Sequence, residues 1–137
     1  VAATVVCRRW LLRVGLVGTV QRGAWFTLAG GLSMALCALL ERPPVAGVLL
    51  SHWLFAFGHG MLQPCGQTGA VGPFPQSAGV ASALAGCVLA FIAFAVGLWL
   101  GPALDGTLRP MGFGLAVSSV VTALVAWTLV RKHGHQA

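Results

Sequence analysis

Four stretches of this chain, residues 23–40, 45–63, 79–100 and 111–130, run for 18 to 22 residues without one Asp, Glu, Lys or Arg. About 20 apolar residues are what an α-helix needs to cross ~30 Å of hydrocarbon. No water is present there to take up backbone hydrogen bonds, so the backbone must satisfy itself as a helix or a closed barrel. Barrel strands alternate over segments of roughly ten residues, and none of these runs alternates. The expectation is an all-α, polytopic helical membrane protein with four complete spans. Composition agrees: 58% of the 137 residues are hydrophobic and 7% are charged, where a soluble domain carries about 25% charged residues.

The ends of the runs are marked. Glu41, Arg42, Pro43 and Pro44 close the first, because two prolines cannot continue a helix. Pro64 follows the second, and the uncharged, Gly- and Pro-rich segment 64–78 reads as a loop or broken helix end. Gly101 and Pro102 close the third. Residues 7–22 carry Arg8, Arg9, Arg13 and Arg22, and read as a basic loop or interfacial helix with Trp10 at the boundary. Residues 1–6 are apolar but too short to span, so they read as the end of a fifth helix that begins upstream.

Charge placement sets an expected orientation. The alternate connecting segments 7–22, 64–78 and 131–137 hold six Lys or Arg in total, against two in 41–44 and 101–110. The positive-inside rule puts the basic side and the C-terminus in the cytoplasm. The net charge of +6 is no nucleic-acid signal, because the basic residues flank apolar runs instead of interleaving with aromatics on a polar face.

Chemistry-bearing residues are few. Cys7, Cys37, Cys65 and Cys87 are spaced by 30, 28 and 22 residues, which fits neither a disulfide framework nor a metal site. No phosphate-binding lysine loop and no nucleophile–base pair occurs, so no enzyme, metal or cofactor is expected. His133 and His135 in the tail are too few to bind metal firmly. The informative segment is 45–63. There His52, Ala56, His59 and Gln63 follow at steps of four, three and four, which puts them on one helical face. Ionisable groups at membrane depth usually face a protein interior or a water path, so this face is a candidate cavity wall. Phe55 is a candidate apolar contact beside it. Small-residue stripes at 78, 82, 86 and 90, and at 114, 118, 122 and 126, suit close helix packing.

Residues 59–86, HGMLQPCGQTGAVGPFPQSAGVASALAG, resemble the passage between the tenth and eleventh helices of Bcr/CflA-type drug-resistance exporters, within the major facilitator superfamily. The likeness lies in an F-P-x-x-A-G-x-A-S-A-L-x-G core, here Phe74, Pro75, Ala78, Gly79, Ala81, Ser82, Ala83, Leu84 and Gly86. Gly97, Gly101 and Pro102 are similar to the glycine–proline signature of antiporters. The resemblance implies a partial major facilitator fold, from the end of helix eight through helix twelve. It implies multidrug efflux coupled to protons in a bacterial inner membrane. Partners would be the lipid bilayer, small hydrophobic drugs, protons and the N-terminal half of the same transporter, with no nucleic acid. The coupling acids would lie in that other half. Two other readings stay open: a major facilitator transporter of a different small solute, and a self-contained four-helix membrane protein with a structural role.

Overall fold

The computed structural model describes residues 2–40, 43–130 and 132. Those residues are helical almost throughout, in four long elements: α1 (Ala2–Leu39), α2 (Val45–Val71), α3 (Ala78–Leu100) and α4 (Arg109–Val125). One-turn 3₁₀ helices at Pro75–Ser77 and Gly101–Ala103 flank α3, and α4 runs on into a π turn at Ala126–Val130. Three segments are long and apolar enough to cross a membrane: Val45–Val71, Pro75–Ala103 and Arg109–Thr128. The run 23–40 forms the last part of α1, which is not among the three.

Of the two readings open for the basic segment 7–22, loop or helix, the structure shows helix on both sides of a chain reversal. Gly15, at φ 72° and ψ −177°, divides α1 into arms of residues 2–14 and 16–39. That backbone region is open essentially to glycine alone. In an unbroken helix, residues 10 and 26 would stand ~24 Å apart along the axis. Here the Trp10 and Phe26 rings stack at 6.4 Å, and the Arg22 guanidinium sits 5.0 Å over the Trp10 ring. The first arm therefore folds back beside the second. Its Cys7 is buried with Val20, Ala24, Met61 and Cys65, donating to the Met61 carbonyl at 3.6 Å.

The second arm of α1 is the centre of the bundle, with α2 and α4 packed antiparallel along it. Its inward face is small: Gly23, Ala24, Thr27, Gly30, Gly31, Met34 and Ala38 are all buried. Gly30 meets α2 so closely that a Cβ would fall on the Phe55 backbone nitrogen, with the Phe55 Cα 2.7 Å away. Gly31, turned about 100° around the axis, meets α4, where a Cβ would lie 2.7 Å from that of Ser119. Further along the same seams, Gly58 of α2 abuts Thr27, and Gly112 of α4 abuts Ala38. Trp25 and Trp127 close the α1–α4 seam at 4.7 Å.

Three expected features shift. α2 does not stop at Pro64 but continues to Val71, which shortens the connection to α3 to residues 72–77. Proline costs the Gly60 carbonyl its partner, while Thr68 donates to the Pro64 carbonyl at 2.8 Å and holds the next turn. α4 buries Gly112, Ser119 and Ala123, while of the 114/118/122/126 stripe only Ala126, in the following π turn, is buried, Gly114 and Thr122 are half-buried and Ser118 is exposed. α3 buries none of its residues; of its 78/82/86/90 stripe Ala78 is half-buried and the other three are exposed, with open space around Gly86.

Hydroxyls inside the helices bond to their own backbone. Thr19 donates to Gly15, Thr27 to Gly23 and Ser119 to Ala116, at 2.7 to 2.9 Å. Among the described residues no buried side-chain polar atom lacks a partner. Local back-bonding of this kind lets a hydroxyl sit in an apolar layer without help from water. In the 104–108 connection, the Thr107 hydroxyl and N–H both donate to Asp105, at 2.6 and 2.9 Å. Those bonds hold its carboxyl below the ordinary aspartate range, with a smaller pull from Arg109.

Two outcomes follow from this packing. The buried thiols of Cys7 and Cys65 lie 3.6 Å apart. A diazene oxidant should therefore join this pair ahead of any involving Cys37 or Cys87, as read by peptide mass spectrometry. Gly15→Ala, strained by about 1–3 kcal/mol, should lower the yield. Gly30→Ala should cost about 1–3 kcal/mol, because it drives a methyl into backbone. Gly86→Ala, with open space around the new methyl, should cost nothing measurable; thermal unfolding of both variants in detergent checks the contrast.

Candidate functional site

The seam with α1 decides which way α2 faces. Ser51, Gly58, Met61 and Cys65 are its buried residues. Gly58 is pinned against Thr27, and Gly30 allows the Phe55 backbone to sit directly on α1. The face opposite carries His52, Ala56, His59 and Gln63, all exposed. The expected grouping of these four on one side of the helix is observed.

Phe55 lies at the border of that face. It is half-buried, and its ring stacks parallel on His59, with centroids 6.2 Å apart and planes 5° apart. The pair offers a flat aromatic surface with an imidazole edge that can donate or accept a hydrogen bond. One helical turn towards the C-terminus, Gln63 adds an amide with both functions. His52 and His59 are seven residues apart, ~10 Å along the axis, so they cannot close on a single ion. Among the described residues no group of three or more His, Cys, Asp or Glu is placed to hold a metal. The arrangement suits recognition of a planar, weakly polar organic molecule by stacking and one or two hydrogen bonds.

The α2 face is open in this chain. Two surface depressions among the described residues lie elsewhere. One, of about 490 Å³, is bounded by Ala38, Leu40, Pro43, Thr107, Leu108 and Arg109. The other, of about 300 Å³, is bounded by Val6, Arg9, Trp10 and Arg13. Neither touches His52, His59 or Gln63.

The motif residues fall at the α2–α3 connection. Phe74 is exposed just before the turn that Pro75 opens. Gly79, Ser82 and Gly86 lie exposed along the first half of α3, with open space around both glycines. Gly97, Gly101 and Pro102 end α3 and begin the following turn, again exposed. His133 and His135 lie outside the described residues.

Three groupings were missed by sequence reading. The Phe55–His59 stack had a signal, an aromatic pair at i, i+4. The Arg22–Trp10 contact and the Cys7–Cys65 pair had none, because both depend on the reversal at Gly15. In comparisons with protein-family models, curated proteins and solved structures, nothing matches this chain.

The geometry predicts a labelling pattern. With the four native cysteines replaced by serine, single cysteines at positions 52, 59 and 63 should react with a water-soluble maleimide in detergent. Cysteines at 51 and 61, both buried positions that already carry a side chain, should stay protected until the bundle unfolds. Equal reaction at all five positions would contradict the α1–α2 seam.

Proposed function

We propose that this chain is the C-terminal part of a proton-coupled drug exporter of the major facilitator type, resembling the Bcr/CflA exporters, in a bacterial inner membrane. The observation that carries the reading is the exposed face of α2. A helix long and apolar enough to span presents two imidazoles, an amide and a stacked aromatic on the side that its own bundle leaves open. Such groups are costly against lipid. A water-filled path shared with the other half of a transporter removes that cost and gives the groups a use. The likeness of residues 59–86 to the exporter passage supports the same assignment.

In this reading the second arm of α1, with α2, α3 and α4, corresponds to helices nine to twelve, and residues 2–14 to the end of helix eight. The α2 face forms one wall of the substrate cavity near the bilayer midplane, where such transporters bind their cargo between two halves that rock. His59 and Phe55 recognise cargo, and proton coupling resides in the other half. The Gly15 end of the bundle and the C-terminus face the cytoplasm.

His59→Ala in the full-length transporter tests this. Export measured compound by compound in everted vesicles should change several-fold for some compounds and little for others, while proton exchange persists. Wild-type export of every compound by a normally inserted variant would reduce His59 to a packing residue. Loss of all transport would move it into the coupling machinery.

A further inference from the structure

The two ends of the bundle differ sharply in charge. Asp105 lies in the connection leading into α4, bonded to Thr107, which borders the larger depression together with Leu40 at the end of α1, and Glu41 follows that end in sequence. These are the only acids against eight Lys and Arg. At the opposite end, the reversal at Gly15 brings Arg8, Arg9 and Arg13 on one arm towards Arg22 on the other. No acid of the described residues is there to neutralise them.

The cations are not spread evenly. Arg9 and Arg13, at i and i+4, edge the smaller depression together with Val6 and Trp10. Arg22 crosses from the other arm to lie on the Trp10 ring. The depression therefore joins two exposed guanidinium groups to an apolar floor, with a third guanidinium held on the tryptophan at its side. Paired guanidiniums are the donors that match phosphate oxygens two at a time. An apolar floor suits the glycerol and upper acyl chain of a lipid and offers nothing to a free anion.

We propose that this depression binds the phosphate of an anionic phospholipid, with Arg9 and Arg13 as ligands and Trp10, braced by Arg22, against the acyl–glycerol region. The inference rests on the bundle lying in a membrane. It adds a lipid-selective site that the drug-exporter reading does not require. Arg8 is exposed on the same arm but does not border the depression, so it supplies the control for charge alone.

The test measures binding of phosphatidylglycerol and phosphatidylcholine to the purified chain by native mass spectrometry. Insertion is checked separately, by carbonate resistance in phosphatidylcholine vesicles. The Arg9→Gln/Arg13→Gln variant should bind phosphatidylglycerol ~25-fold more weakly, about fivefold per arginine, with phosphatidylcholine binding unchanged. Arg8→Gln should change neither by more than about twofold. If the double Gln variant does not fold, Arg9→Lys/Arg13→Lys carries the test. It keeps the charge and loses the planar fork, and should weaken binding about fivefold. Equal damage from Arg8→Gln, or no damage from either double variant, overturns the site. Displacement of the lipid from wild type by millimolar inorganic phosphate would overturn the lipid assignment. A chain that inserts normally but shows no headgroup preference refutes this proposal alone, and a chain that fails to insert refutes the membrane reading with it.

Discussion

The adjacent glycines Gly30 and Gly31 are the contact on which the rest of the bundle depends. Two neighbouring positions of a helix point about 100° apart. With no side chain on either, the second arm of α1 takes one helix against each: α2 with the Phe55 backbone on Gly30, and α4 with Ser119 on Gly31. Apolar burial gives little drive for helices to associate inside a membrane, so close packing must supply it. Attraction between atoms falls off within about an ångström of contact. A methyl at either position would part a seam and remove that attraction along its length.

The orientation of α2, and so the candidate site, follows from this. Once Gly30 and Gly58 fix one side of α2 against α1, the residues half a turn away have to face outward. His52, His59 and Gln63 are exposed for that reason, and Phe55, at the edge of the seam, is free to stack on His59. The polar face therefore owes its position to glycines that bear no chemistry themselves. α3 lies outside this system. It has no buried residue and the most apolar sequence of the three candidate spans. Its surface is one that lipid or other helices, not water, would suit.

Hydropathy made most of the helices legible. The runs at 45–63, 79–100 and 111–130 correspond to α2, α3 and α4 within a few residues, apart from the C-terminal extension of α2. That extension and the helical arms around Gly15 were illegible for related reasons. Pro64 ordinarily ends a helix, and the Thr68 hydroxyl that steadies the next turn is a local contact no hydropathy pattern displays. Four arginines left residues 7–22 open between a basic loop and an interfacial helix; arginine is a good helix former, but nothing in the pattern shows a reversal that needs only one residue. The α4 stripe was misplaced because Gly114 and Ser118 are as small as Gly112 and Ser119. Composition fixes that a small face exists, and only the position of Gly31 fixes which one is used. At the candidate site, the 4–3–4 spacing of the polar residues was enough to place them together, since it needs only helical geometry. Whether another surface covers them lies beyond what one chain's periodicity can encode.

The charge pattern and the packing pattern meet at Gly15. A span can end in a long loop that keeps its basic residues apart in water. Here the reversal occurs at one residue, and the two arms bring their cations into the same small volume. Like charges this close repel one another, and at the Debye length of about 8 Å in physiological salt they are only partly screened. The fold answers this locally by placing Arg22 on the face of Trp10, where the ring's negative quadrupole attracts a cation. Arg9 and Arg13 receive no such partner from the described residues. They remain at the border of an apolar depression, with their charge unmet. A tight turn that concentrates arginine without acid is stable where the surroundings supply the counter-charge, and the anionic surface of a membrane supplies it continuously.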